Sequence, residues 1–195
     1  MPNNKNFDKK TDIELVALTL ADQDCFLYLA RRYEKQLLRY IKRISRLNQE
    51  EAEDILQDVF INVYQNLNSF DNNLKFSSWI YRITHNQVIS HYRKVKARPE
   101  YYQGELNEDI LNNLASDLDI VKDVDNQYLR QEIDKILPKL DFKYREVLVL
   151  KFLEEKDYRE ISDILKKPIG TVATLINRAK KKFKEELEKI NINFK

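Results

Sequence analysis

A chain of 195 residues holds one large domain or two small ones. Its two glycines, Gly104 and Gly170, lie too far apart for a Walker loop or a dinucleotide fingerprint, which excludes P-loop NTPases and Rossmann oxidoreductases. The single cysteine, Cys25, allows no internal disulfide and no cysteine-rich zinc site, residues 1–10 lack the apolar stretch of a signal peptide, and no apolar run nears the roughly 18 residues of a membrane span. The expectation is a cytoplasmic chain with no membrane insertion, and the scarcity of glycine and proline points to helices. Lys and Arg number 34 against 32 Asp and Glu, a net charge of +2 that hides strong segregation. Residues 82–98 carry Arg82, Arg93, Lys94, Lys96 and Arg98 and no acid, and residues 166–184 carry seven cations and no acid. Between them, residues 100–126 carry eight acids against Lys122 alone. Two basic modules around an acidic connector suit a polyanion touched at two places, with solvated helix faces as the plain alternative.

In chain order, Leu15 and Leu18, then Phe26, Leu29, Tyr33, Leu37, Tyr40, Ile41 and Ile44, predict two helices. A third follows from Ala52, Ile55, Leu56, Val59, Phe60, Val63, Tyr64 and Leu67, whose alternating spacings put them on one face. Glu51, Asp54, Gln57, Asp58, Asn62 and Gln65 make its polar face. Phe76, Trp79, Ile80 and Ile83 open a fourth helix that runs through the first basic stretch and ends before Pro99. Its outer face reads Arg82, Asn86, Ser90 and Lys94. Asn86 and Gln87 carry the donors and acceptors that base edges need, and Phe76, Trp79, Tyr81 and Tyr92 are either core residues or a stacking platform for unpaired bases.

Residues 99–125 read as an acidic linker. Beyond it, Ile133, Ile136, Leu137 and Leu140 predict a short helix, and Val147, Leu148 and Leu150 to Leu153 another. Asp157 with Glu160 resembles a capping box ahead of Tyr158, Ile161, Ile164 and Leu165. Residues 166–170 read as a tight connection, and Val172, Leu175, Ile176, Ala179, Phe183 and Leu187 as the core stripe of a longer basic helix. Short helix, compact turn and basic helix make a helix-turn-helix. Away from that stripe lie Thr171, Ala173, Thr174 and Asn177, where Thr and Asn reach base edges, and Arg178 and Lys181, suited to phosphates. A helical hairpin with a lysine-rich solvated face is the competing reading. The expected fold class is all-α: two small helical domains, residues 12–98 and 126–190, joined by an acidic linker, the second with a helix-turn-helix.

Three segments carry a family resemblance. Glu53-Asp54-Ile55-Leu56-Gln57-Asp58-Val59-Phe60, then Phe76-Ser77-Ser78-Trp79-Ile80-Tyr81-Arg82-Ile83-Thr84-His85-Asn86, then Gly170-Thr171-Val172 with Asn177-Arg178-Ala179, look like a bacterial RNA polymerase sigma factor of the extracytoplasmic-function group. The resemblance implies that residues 12–98 dock on core RNA polymerase and read and melt the minus-ten promoter element. Residues 126–190 then read the minus-thirty-five element and bind the beta flap. It puts the docking face for the beta-prime clamp helices on Asp54, Gln57, Asp58 and Asn62. It puts minus-ten DNA against Ser69, Asp71, Lys75, Arg82, Asn86, Ser90, Arg93 and Lys94, with Asn86 at a flipped base and residues 69–75 as the pocket loop. Minus-thirty-five DNA falls to Thr171, Ala173, Thr174, Asn177, Arg178 and Lys181. Implied partners are core polymerase, promoter DNA both double-stranded and melted, and, as a further candidate, an anti-sigma factor. Arg82-Ile83 stands where primary sigma factors have adjacent tryptophans, which implies weaker melting and stricter promoter choice. Ala173-Thr174-Leu175 stands where many relatives carry Lys-Ser-Arg, which removes two cations.

The alternative is a free-standing helix-turn-helix regulator, which needs neither the polar face of residues 51–65 nor single-strand chemistry around Asn86. No enzyme, metal or cofactor is expected: His85 and His91 lack the His-Glu-x-x-His frame and read as surface or phosphate-proximal residues, and Ser90 lies in no nucleophile elbow. In the family the connector threads toward the active centre and into a cation-lined RNA exit channel. A segment this acidic fits a mimic of the transcript, with a soluble tether as the other reading. Replacing Asp117, Asp119, Asp123 and Asp125 by Asn is expected to weaken holoenzyme assembly, more so at low salt, and to alter the abortive transcripts. If assembly and abortive products are both unchanged, the connector is a tether.

Overall fold

The structure, a computed structural model, describes Phe7, residues 9–96, Ile133 and residues 135–192. The acidic linker, the last residues of the first expected domain and the opening residues of the second lie outside the described residues. The chain divides into two compact units, Met1–Arg98 with Asp163–Lys166, and Pro99–Ser162 with Lys167–Lys195. Among the described residues every regular element is helical.

The first unit contains α1 (Asp12–Ala21), α2 (Phe26–Ser45), α3 (Gln49–Asn66) and α4 (Phe76–Lys96). Reciprocal capping boxes set two of the starts. The Thr11 side chain accepts from Glu14 N–H while Thr11 N–H donates to Glu14 Oε2 at 2.6 Å. Asn48 Oδ1 likewise accepts from Glu51 N–H at 2.9 Å while Asn48 N–H donates to Glu51 Oε2 at 3.3 Å. α2 stops where Arg46 turns left-handed, with φ of 60°, and donates its N–H to Lys42 O at 3.1 Å. A side chain in that region costs about 1 kcal/mol or more, and no described glycine is used to avoid it.

α3 packs against both α2 and α4. Its stripe is buried at Ala52, Ile55, Leu56, Val59 and Val63, and the burial continues into Leu67. Phe60 is only half-buried and Tyr64 is 39% exposed, because one ring, Phe26, covers that flank, meeting Phe60 at 6.3 Å and Tyr64 at 5.3 Å.

The loop from α3 to α4 ends in an aromatic cluster. Phe70 meets Phe76 edge to face at 5.3 Å and Trp79 at 5.3 Å, Phe76 meets Trp79 at 5.6 Å, and Tyr33 of α2 meets Phe76 at 5.5 Å. Tyr81 is buried against Tyr40 at 5.1 Å, and the half-buried Tyr92 donates its hydroxyl to Ser45 O, tying the end of α4 to the end of α2. Phe76, Trp79 and Tyr81 are therefore core, and the stacking-platform reading fails for them: their ring faces are spent on one another and on α2.

In the second unit, Ile133, Lys135 and Ile136 are helical but give way to a 3-10 turn at Leu137–Lys139, because Pro138 has no N–H to continue the ladder. α5 (Phe142–Leu148) starts before the expected apolar run and widens into a π turn at Val149–Leu153, which Glu154 N–H closes onto Val149 O at 2.9 Å. α5 packs along α7 (Ile169–Ile192). Next in the chain, α6 (Tyr158–Leu165), whose residues from Asp163 on belong to the first unit, starts at the expected capping box: Glu160 N–H donates to Asp157 Oδ1 at 2.8 Å and Asp157 N–H to Glu160 Oε2 at 2.9 Å. The connection to α7 is shorter than expected. Lys166 takes the left-handed position with φ of 53°, and Ser162 Oγ donates to Lys167 O at 2.6 Å. Gly170 is already the second residue of α7, in open space, so the turn does not depend on it.

Truncating Trp79, 7% exposed inside the cluster, is expected to cost about 3–5 kcal/mol of stability in a urea titration of Trp79→Ala. A stacking residue on the surface would leave stability nearly unchanged.

Candidate nucleic-acid interface

Burying one side of α4 through Phe76, Trp79, Ile80, Tyr81, Thr84 and Val88 leaves the opposite side for partners. Asn86, Arg93 and Lys94 are exposed and Arg82 and Ser90 half-buried, so the expected outer face exists and offers three cations and an amide. His85 and His91 depart from the surface reading. Both are half-buried, and each has one ring nitrogen shut off from solvent, because spacing from the core residues draws them to the flank of the helix.

The loop ahead of α4 presents Ser69, Asp71 and Lys75 on the surface. Ser69 Oγ donates to Asn66 O at 2.7 Å, and Asp71 Oδ1 accepts from both the backbone N–H and the side-chain amide of Asn73 at 2.9 Å. This Asx turn spends Asp71 on shaping the loop. Residues 72–77 line an open surface cavity of about 450 Å³. Its other lining residues are Thr11, Asp12 and Ile13, which sequence reasoning missed because nothing local links a helix start to a loop some sixty residues away. Asp12 is engaged on both oxygens: Arg32 Nη1 donates to Oδ1 at 2.8 Å and Tyr33 Oη to Oδ2 at 2.5 Å. Burial, then the hydrogen bond to Asp12, pushes the Tyr33 phenol well above its ordinary pKa, so it stays a donor at neutral pH. Arg32 Nη2 also donates to Lys10 O at 2.8 Å, and Phe7 stacks on Tyr28 at 3.9 Å, so the segment before α1 is strapped onto α2.

On α3, Asp54, Gln57 and Asp58 are exposed and Asn62 is half-buried, its Oδ1 accepting from Asn66 Nδ2 at 3.1 Å. Ile61, 55% exposed beside them, is an apolar residue the polar-face reading left out. Only its failure to fit the apolar stripe could have marked it.

On α7, burial of Val172, Ile176 and Ala179 turns Thr171, Thr174, Asn177 and Lys181 outward, with Ala173 and Arg178 half-buried. Thr174 Oγ1 donates to Gly170 O at 2.9 Å, a local bond its hydroxyl must share with any base. The basic count overstates what this helix offers. Lys180 lies over the Phe152 ring at 5.7 Å, Lys182 pairs with Glu185 at 2.9 Å, and Lys184 with Glu188 at 3.9 Å. The hydrogen bond between them raises Lys182 and lowers Glu185. Among the described residues no group of three or more His, Cys, Asp or Glu is placed to hold a metal ion, and no helix is long and apolar enough to cross a membrane.

Residues 29–98 match the model of Sigma-70 region 2, and residues 130–183 that of Sigma-70, region 4. The ECF RNA polymerase sigma factor SigW of Bacillus subtilis (strain 168) is 37% identical over 172 residues, covering 85% of this chain and 90% of that protein. The ECF RNA polymerase sigma-E factor of Haemophilus influenzae is 28% identical over 192 residues, covering 93% and 97%. Among solved structures, CnrH in complex with the cytosolic domain of CnrY has the same fold, with a TM-score of 0.66 at 22% identity over 91% of this chain and 97% of that one. The sigma factor RpoE in complex with the anti-sigma factor NepR from Bartonella quintana gives 0.63 at 22% identity, over 84% and 96%.

Proposed function

Because the chain belongs to the extracytoplasmic-function sigma factors and so directs promoter-specific transcription initiation, we propose that it divides the work between residues 12–98 and 126–190. The first docks on core polymerase and opens the minus-ten element, and the second reads the minus-thirty-five element as duplex and binds the beta flap. The observation that carries this reading is the outer face of α4: an exposed Asn86 among Arg82, Ser90, Arg93 and Lys94, next to the loop 69–75 and its cavity. An amide has the donor and acceptor pair that reads a base edge, while the cations hold phosphates and carry no sequence information. Sigma factors are in general initiation factors without enzymatic activity. A free-standing helix-turn-helix regulator leaves the whole of α1–α4 without a task.

On α3, Asp54, Gln57, Asp58 and Asn62 form the docking face for the clamp helices. On α7, Thr171, Ala173, Thr174 and Asn177 face bases of the minus-thirty-five element, and Arg178 and Lys181 its phosphates. The chain works where core polymerase does, in the cytoplasm. An anti-sigma factor is a partner on this reading too, as NepR is for the Bartonella protein.

Asp58→Lys is expected to weaken core polymerase binding about ten-fold or more with the fold intact, as judged by circular dichroism and titration of core enzyme. Unchanged affinity moves the docking face elsewhere. Asn86→Ala is expected to lose discrimination at one minus-ten position, on the order of 1–3 kcal/mol, whereas Arg178→Ala weakens all promoters and lowers the salt slope by about one phosphate contact. Equal weakening of every promoter by Asn86→Ala would make Asn86 structural.

A further inference from the structure

The cavity beside α4 has two walls, and only one of them belongs to the loop that the promoter-reading proposal uses. The second is the start of α1. This stretch lies ahead of residue 29, where the region 2 match begins. Two exposed large apolar side chains line this one cavity, Ile13 at 48% exposure from the start of α1 and Leu74 at 38% from the loop. Asn72, in the same lining, contributes an amide that makes no hydrogen bond among the described residues. Apolar side chains from two segments together with an amide suit a flat heteroaromatic ring with a polar edge.

The two walls are held by the same residue. The Tyr33 ring packs on Phe76 at 5.5 Å, at the end of the loop, and its hydroxyl donates to Asp12 at 2.5 Å, at the start of α1. Arg32, the next residue back along α2, grips Asp12 and the Lys10 carbonyl, each at 2.8 Å. An exposed helix start would ordinarily fray. Here an ion pair, two backbone acceptors and a stacked Phe7–Tyr28 pair hold it in register with the loop.

We propose that Thr11, Asp12 and Ile13 form the second wall of the pocket that takes an unstacked minus-ten base, with Tyr33 and Arg32 as the positioning residues that set its width. The inference rests on the reading of residues 69–75 as the pocket loop. It extends the promoter-reading surface to a part of the chain ahead of the matched region 2.

The test uses holoenzyme reconstituted from the full chain and core polymerase. Its probes are labelled single-stranded oligonucleotides carrying the non-template minus-ten strand of a promoter that the holoenzyme transcribes, with each of the four bases in turn at every position. Ile13→Ala is expected to lower the preference at one position about five-fold, at the same position that Leu74→Ala affects. Tyr33→Phe, which keeps the ring on Phe76 and removes only the bond to Asp12, lowers preference at that position with core binding unchanged. Leu20→Ala, on the same helix and 51% exposed but outside the cavity, is the control and changes nothing. If Leu74→Ala lowers the preference and Ile13→Ala does not, or if Ile13→Ala weakens all four bases equally, the second wall is overturned while the pocket loop stands. If neither variant changes base preference, the pocket-loop reading falls and the inference falls with it.

Discussion

Phe70 and Phe76 stand at the two ends of a five-residue loop and meet edge to face at 5.3 Å, and the geometry of the first unit around its cavity depends on that contact. Closing a loop with buried rings removes most of the conformational freedom of the residues between. Those residues are all exposed, so their side chains are presented to solvent between two anchored ends. The same Phe76 ring also meets Trp79, one turn into α4, which fixes the direction in which the helix leaves the loop. Tyr33 then joins the cluster from α2 and carries the constraint on to Asp12. Loop, helix and N-terminal segment thus share one hydrophobic anchor.

A helix has only enough circumference for one buried stripe and one or two free faces, and each helix here divides them differently. α3 spends its stripe on two neighbours at once and is left with a face of carboxylates and amides, suited to a protein partner. α4 has a comparable buried stripe and a free face of cations and an amide, suited to nucleic acid. The contrast follows from composition alone, since residues 82–98 carry no acid and residues 51–58 no cation. Both faces stay presented to solvent because they belong to helices whose other sides are locked in one core.

The basic helix of the second unit is a more economical device than its charge count implies. Three of its lysines are engaged by Phe152, Glu185 and Glu188. Exposed pairs of this kind contribute little to stability, but they temper the field that a lysine-rich helix would otherwise present to any phosphate backbone. Asn177 and the two threonines at the start of the helix are then less overshadowed by non-specific attraction. That arrangement favours reading by the polar side chains over indiscriminate attraction to phosphates.

The sequence by itself determined the helical class, the division into two basic modules, the capping box at Asp157, and which face of α3 and α7 turns inward. Each of these depends on spacing within one helix, and a period of 3.6 residues is written locally. It could not decide whether Phe76, Trp79 and Tyr81 were core or platform, since helical spacing is the same for a ring packed inward and a ring offered to a base. The tertiary structure settled that by supplying Phe70, Tyr33 and Tyr40 as their partners. Nor did local patterning mark the left-handed turns at Arg46 and Lys166, because the glycine that usually signals them is missing and the fold bears the strain. The cavity wall at Thr11–Ile13 was beyond reach for a plainer reason: it is made by residues far apart in the chain, and only the packing of α1 and α4 on a common α2 brings them together.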